Sequence, residues 1–244
     1  FLGFYIFNFF MKKHFQLWLR FLSLPVVFAM VLVSVSFAQA ATINVNSTQD
    51  VLDDFDGFCT LREAITAANT DSSMGMVGGE CVAGFGADTV VIPAGTYTMS
   101  LNGIDDGNGG GDFDLMADIT LVGQGALPSN TVIDANGVDR GFHVLGVNVA
   151  MSNFTVTNGD AQVGAMMNGG GVLVNSNATA NMNLVHLTNN NADNGGALYV
   201  DAFGPMLGVV SFTNGVANGN TAMEGGAFYS KGDLTIGNGS LTNN

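Results

Sequence analysis

Two short phrases recur along the second half of this chain at nearly equal spacing. The first is a pair or run of glycines followed by an apolar segment, and it occurs at 169–174, 195–200 and 225–230. The second is a large apolar residue followed by Thr-Asn. Its threonines are separated by 31, 25 and 29 residues, and they are Thr157, Thr188, Thr213 and Thr242. Interleaved phrases with a common period are typical of one supersecondary unit that is stacked repeatedly.

Each repeated unit has the composition of β-structure. The units are rich in β-branched residues, Gly and Asn, and no helical periodicity lies between the phrases. We therefore predict a β-solenoid with coils over 86–244. Segments such as Phe154-Thr155-Val156, together with those at 185–187, 210–212 and 239–241, alternate with period two, so their outer members are expected to face the core.

Asparagines and glycines are expected to form the corners of the coils. We predict that the amides of one set stack as a hydrogen-bonded ladder, and the set is Asn158, Asn189, Asn214 and Asn243. The paired glycines mark a second corner, where a positive φ or close backbone approach is needed. Asn244 directly follows an apolar-Thr-Asn phrase, and we interpret the sequence as a fragment that is truncated at its C-terminus.

The N-terminal part has the order of a secretory signal peptide. A basic segment begins at Met11, an apolar run covers 21–37, and a small-x-small cleavage site ends at Ala40. We predict a signal peptide at 11–40, and we interpret residues 1–10 as upstream, non-structural sequence. Pro25 and the cleavage site favour cleavage over an uncleaved membrane anchor.

The mature part is strongly acidic. It carries all 20 acidic residues and three basic residues, Arg62, Arg140 and Lys231, so its net charge is −17. Such a surface disfavours nucleic acid and anionic lipid as partners, and no later apolar stretch is long enough to span a membrane. Cys59 and Cys81 are the only cysteines, and export favours their pairing over two separate buried thiols.

A short amphipathic helix near 60–69 is predicted within an N-terminal cap at 41–85. Thr60 and Glu63 match a capping box, in which each side chain bonds the backbone amide of the other residue. Apolar residues then follow at helical spacing, and they are Leu61, Ala64, Ile65 and Ala68. This helix is expected to cover the end of the first coil.

The cap segment resembles the signature of bacterial exported proteins named for a Cys-Ser-Leu-Arg-Glu-Ala motif. The match runs over 59–65 and 67–69, with Thr60 in place of the usual Ser, and 88–97 is similar to the strand-turn-strand that follows in that family. The Gly-Gly-Ala phrases are similar to repeats of polymorphic outer membrane proteins. The resemblance implies a right-handed parallel β-helix on or outside the cell, at the outer membrane, and it supplies no catalytic residues. We therefore expect adhesion or a surface-displayed passenger role, with carbohydrate or host-surface ligands as partners.

Acidic clusters are the only cation-binding candidates that the sequence offers. Four carboxylates lie in the Gly-rich loop from Asp105 to Asp114, and Ca²⁺ is the ion that such a loop suits. The spacing matches neither an EF-hand loop nor a repeated Gly-Gly-x-Gly-x-Asp nonapeptide, so a solvated acidic excursion is favoured, and no cofactor or metal ligand is assigned. The same interpretation applies to the second cluster, Asp50, Asp53, Asp54 and Asp56.

A carbohydrate-active enzyme is the competing class. Polysaccharide lyases and glycoside hydrolases share the β-helix, and such a site would lie mostly beyond Asn244. The few basic residues and the acidic surface disfavour it, and no catalytic residue is assigned. His143 and His186 are predicted to be ordinary outward-facing residues without metal partners. Tyr199 and Tyr229 occupy equivalent places in successive coils, where edge packing is favoured over sugar binding.

Overall fold

The computed structural model describes residues 40–75, 80–162 and 167–244. The predicted upstream segment and the signal peptide up to residue 39 lie outside the described residues. The strands are β1 (Thr42–Asn44), β2 (Asp88–Ile92), β3 (Gly95–Thr98), β4 (Phe113–Leu115), β5 (Ile119–Gly123), β6 (Thr131–Asp134), β7 (Phe142–Val144), β8 (Asn148–Thr157), β9 (Val172–Val174), β10 (Thr179–Thr188), β11 (Asn191–Asn194), β12 (Leu198–Val200), β13 (Ala202–Phe203), β14 (Met206–Leu207), β15 (Val209–Thr213), β16 (Val216–Asn218), β17 (Thr221–Glu224), β18 (Phe228–Ser230), β19 (Asp233–Gly237) and β20 (Ser240–Thr242). The helical segments are α1 (Leu61–Thr70) and a 3₁₀ turn at Pro128–Asn130.

The strands form long parallel sheets. In the largest sheet β1, β2, β5, β8, β10, β15 and β19 lie side by side in that order. A second sheet has the order β4, β7, β9, β12, β18. The hairpin of β13 and β14 is antiparallel. The predicted all-β class is therefore confirmed for the described residues.

The register of the long strands reproduces the period of the sequence. Thr188 of β10 lies beside Thr157 of β8, and Val210 of β15 lies beside Ala180 of β10. Parallel strands in register place equivalent side chains next to one another, so the inward-facing residues of successive strands build one continuous apolar core. The core residues of these three strands are Val149, Met151, Phe154, Val156, Ala180, Met182, Val185, Leu187, Val210 and Phe212.

The predicted alternation holds in the central strands and fails at the last one. The first and last residues of the segments 154–156, 185–187 and 210–212 are buried. Thr155 is also covered, because its hydroxyl donates a hydrogen bond to the carbonyl of Pro128 at 3.1 Å. Leu241 of β20, predicted to face the core, is 46% exposed. β20 pairs with β16 alone, and no described strand packs on its other side.

The apolar-Thr-Asn phrase marks two different corners. Strand β10 is paired in two parts, Thr179–Asn183 with β15 and His186–Thr188 with β16, and we call such parts the first and second leg of a repeat. Asn158, Asn189 and Asn243 follow a second leg. Asn214 follows a first leg and is the register equivalent of Leu184. All five residues have positive φ, between 53° and 57°. The switch between corners explains the uneven spacing of the phrase. The glycine corner is also present, since Gly169, Gly195 and Gly225 have φ of 65°, 63° and 63°.

The buried asparagine ladder lies at other residues than those predicted. Asn158, Asn189, Asn214 and Asn243 are exposed. The side chains of Asn158, Asn214 and Asn243 donate hydrogen bonds to the side chains of Asp134, Asn183 and Asn218, respectively. The ladder consists of Asn190 and Asn220, which are buried, and of Asn244, which is exposed. These residues follow the second-leg corner in successive repeats. Asn190 donates its amide N–H to Oδ1 of Asn220 at 3.0 Å, and Asn220 donates in the same way to Asn244 at 3.1 Å. The corner residues Asn189 and Gly219 have positive φ, and the residue that follows each of them, Asn190 or Asn220, is buried.

The predicted helix and its capping box are present. The hydroxyl of Thr60 accepts from the amide of Glu63 at 3.2 Å, and Glu63 Oε2 accepts from the amide of Thr60 at 2.9 Å. The predicted apolar stripe of α1 is buried, and a disulfide joins Cys59 to Cys81. On the other face of the helix Arg62 is also fully buried, where it pairs with Asp50.

Candidate functional site

A buried polar pair lies where β4 and β7 meet. The end residues of both strands are apolar and belong to the core. The central residues, Asp114 and His143, are register partners, and the pleat points them to the outer face of the sheet. Their exposed fractions are nevertheless 0% and 1%. Something therefore covers this part of the outer face.

The cover is the acidic loop that precedes β4. Its central residue, Asn108, has a φ of 61° and donates its amide N–H to Asp114 Oδ2 at 2.8 Å. The Asn108 side chain donates to the carbonyl of Arg62 and to the hydroxyl of Thr66, both at 2.9 Å. These bonds hold the loop, of which Asp106 is a part, between α1 and the sheet.

Three possible metal ligands, one of them in this loop, meet at its contact with the sheet. His143 Nδ1 lies 3.4 Å from Asp106 Oδ1 and 3.5 Å from Asp114 Oδ1. All three ligand atoms lie within 4.8 Å of one another. Asp114 Oδ1 and His143 Nε2 are buried and have no hydrogen-bond partner among the described residues. Buried polar atoms normally have partners, so these two point to a bound group or a chemical role.

A guanidinium faces two further carboxylates beside this group. Arg140 Nε lies 3.2 Å from Asp112 Oδ2, and Nη2 lies 3.5 Å from Asp139 Oδ1. Burial, the largest influence, raises the pKa of Asp112. Arg140 opposes this, whereas Asp114 and Asp139 raise the pKa further, and the result is about 7. Burial likewise raises the pKa of Asp139 against the effect of Arg140. The positive charge of Arg140 does not cancel the rise in pKa that burial and the neighbouring carboxylates cause.

The site thus contains more acidic than basic side chains. Its carboxylates are Asp106, Asp112, Asp114 and Asp139, and the basic groups are Arg140 and His143. Buried negative charge is costly unless a cation or a proton compensates it. This arrangement can therefore hold a positive ion, or keep one carboxyl protonated near neutral pH.

Three predictions from the sequence need correction here. His143 was predicted to face outward without metal partners, yet it is buried beside two carboxylates because the loop folds over it. The loop from Asp105 to Asp114 was predicted to be solvated, but its last part, with Asp112 and Asp114, is buried. Asp50 was assigned to a solvated cluster, and it instead accepts two hydrogen bonds from Arg62.

The sequence does contain a signal for this site. Phe113-Asp114-Leu115 and Phe142-His143-Val144 are both apolar-polar-apolar triplets, and they lie 29 residues apart, one repeat of the chain. Read with the period of the repeats, they place the two polar residues side by side. The loop over them is irregular, so neither Asp106 nor the burial of Asp112 follows from periodicity.

The other candidate residues lie elsewhere on the outer faces. The rings of Tyr199 and Tyr229 are stacked, with centroids 5.4 Å apart, and the ammonium of Lys231 lies 5.3 Å from the centre of the Tyr199 ring. Tyr199 is buried, so its ring packs against neighbours. His186 is half-buried, which lowers its pKa.

Comparison with other proteins identifies no relative. Within the described residues no helix has the length and apolar character needed to cross a membrane. No protein-family model, curated protein or solved structure matches this chain.

Proposed function

We propose that this chain is a secreted or cell-surface right-handed parallel β-helix that acts in adhesion or as a displayed passenger module, without catalytic activity. The observation that carries the proposal is the parallel, in-register stacking of equivalent strands in both sheets. Stacked coils present their outward side chains in rows, and extended surfaces of this kind are what repeat proteins use for binding. The expected place of action is outside the cell, at the outer membrane.

Two further features support export. Cys59 and Cys81 form a disulfide that ties the start of α1 to a following loop. Structural disulfides persist in oxidising compartments, which include the periplasm and the cell exterior. The mature net charge of −17 favours solubility there and disfavours nucleic acid as a partner. Carbohydrate or host-surface ligands remain the proposed partners.

An epitope inserted after Gly204 tests the proposed location. Gly204 lies in the turn between β13 and β14, has a φ of 59°, and has open space around it. The neighbouring Phe203 is 72% exposed, so the insertion leaves the core untouched. In bacteria that express the full chain, we expect antibody to label intact cells as strongly as permeabilised cells. A cytoplasmic marker should be labelled only after permeabilisation.

Labelling that requires permeabilisation would contradict surface display. Epitope found only in the culture medium would support secretion over attachment to the cell. The purified protein, applied to arrays of glycans and host-surface proteins, then identifies the ligand class. Chain that has been reduced and denatured is the control for non-specific binding through its negative charge.

A carbohydrate-active enzyme is the alternative function. One observation favours it: the pKa of Asp112, which burial raises to about 7, suits a carboxyl that donates a proton. Asp112 is itself buried, however, which limits access of a polysaccharide. Cleavage of uronate or neutral polysaccharides by the purified chain, lost in Asp112→Asn, would favour this alternative.

A further inference from the structure

The ligand set beneath the acidic loop comes from three separate parts of the chain. Asp114 belongs to β4, His143 to β7, and Asp106 to the loop that covers both. Strand pairing sets the backbone positions of Asp114 and His143, and the loop orients the Asp114 carboxylate through the amide of Asn108. The Asp106 side chain is 68% exposed, and it gives the cluster a path to solvent.

The spacing of the three ligand atoms fits a small ion. In tetrahedral coordination with bonds of about 2.1 Å, neighbouring ligand atoms lie about 3.4 Å apart. The distances from His143 Nδ1 to the carboxylate oxygens of Asp106 and Asp114 are 3.4 and 3.5 Å. The two carboxylate oxygens lie within 4.8 Å of each other. A shift of the exposed Asp106 side chain would bring all three atoms around one metal ion, and water from the open side would complete its coordination.

The surrounding residues prepare the cluster for a cation. Asp114 Oδ1, which faces His143, has no hydrogen-bond partner among the residues that the structure describes, although the residue is completely buried. The other oxygen of Asp114 accepts from the amide of Asn108, which fixes the direction of the carboxylate. Such outer bonds are typical of metal-ligating carboxylates. Asp112 and Asp139 add two further carboxyl groups beside the cluster, and both of them face the same guanidinium, that of Arg140.

We infer that Asp106, Asp114 and His143 form a binding site for one first-row divalent transition-metal ion, with Zn²⁺ as the reference ion. An imidazole ligand favours this class over Ca²⁺ and Mg²⁺, which take oxygen ligands. The site joins two neighbouring coils and the loop, so a bound ion strengthens this end of the stack. This inference does not depend on the proposed surface function.

Calorimetric titration of the full chain with Zn²⁺ tests the site. The protein is first dialysed against a chelator with its disulfide intact, and excess Mg²⁺ is present to occupy surface carboxylates. We expect one equivalent of Zn²⁺ to bind. Asp106→Asn should weaken the affinity by at least about tenfold, because it removes one charged ligand. Asp54→Asn, which makes the same charge change at an exposed residue, should leave the affinity unchanged.

Co²⁺ provides an independent readout of the coordination. The wild-type chain should give strong visible absorption bands, as tetrahedral Co²⁺ does, and Asp106→Asn should lose most of their intensity. Absence of saturable Zn²⁺ binding to the folded chain would overturn the inference. Preference for Ca²⁺ over Zn²⁺, or equal Zn²⁺ affinity in wild type and Asp106→Asn, would also overturn it.

Discussion

Replacing Arg62 by alanine is expected to lower the free energy of unfolding by about 3–5 kcal/mol. Arg62 Nε donates to Asp50 Oδ1 at 2.6 Å, and Nη2 donates to the carbonyl of Gly111 at 2.9 Å. The guanidinium also lies 4.6 Å from the centre of the Phe113 ring. Without it, the Asp50 carboxylate stays buried with no opposite charge, and the hydrogen bond from the side chain to the carbonyl of Gly111 is lost. Chemical denaturation of the purified chain measures the change.

Lys231→Ala is the matched control for loss of a cation. Lys231 Nζ lies 3.8 Å from Asp201 Oδ1, and its side chain is 52% exposed. Exposed ion pairs contribute about 0–1 kcal/mol, so this variant should be almost as stable as the wild type. Equal losses in the two variants would mean that Arg62 is not buried in the way described here.

The second large effect is expected for Asn220→Ala, at about 1–3 kcal/mol. Asn220 Oδ1 accepts from both the amide N–H and the side-chain amide of Asn190, each at 3.0 Å. Its own Nδ2 donates to the carbonyl of Leu187 at 2.9 Å and to Asn244 Oδ1 at 2.8 Å. Alanine leaves the buried amide of Asn190 without this acceptor, and so the whole ladder is interrupted. The midpoint of urea unfolding should fall accordingly.

The variant Asn189→Gly distinguishes the contribution of the ladder to stability from that of the corner residue. Asn189 is exposed with a φ of 55°, and its register equivalent in the next repeat is Gly219, with a φ of 69°. Glycine adopts this conformation without strain, so the loss should stay below about 1 kcal/mol. If Asn189→Gly destabilises the chain as much as Asn220→Ala, the ladder does not lie at the buried positions.

Periodicity predicted the all-β class and the parallel pairing of equivalent strands, but it misplaced single residues. The phrases at Thr157 and Thr188 do lie side by side, whereas that at Thr213 ends the other leg. A three-residue phrase cannot distinguish two corners that both require positive φ and both suit asparagine. The register of the flanking strands decides between them, and it depends on packing along the whole stack.

The candidate site was the least predictable part of the molecule. Asp114 and His143 could be paired from the repeat of their triplets. The fold of the loop depends on Asn108, whose bonds to α1 connect parts of the chain more than 40 residues apart. The many charged residues of this loop predicted that it is exposed to solvent. Composition alone carries no information about the tertiary contacts that bury Asp112.

Spin-label distances along one row of the large sheet test the central claim, which is parallel stacking at one strand per repeat. Thr120, Asn181 and Thr235 lie on one row, with Ala150 and Ser211 between them. Neighbouring strands are about 4.8 Å apart, so the backbone separation should be about 10 Å for Asn181 and Thr235 and about 19 Å for Thr120 and Thr235. Labels attached to introduced cysteines should report a distance that roughly doubles between the two pairs. Distances that do not grow with the number of intervening strands would contradict the account.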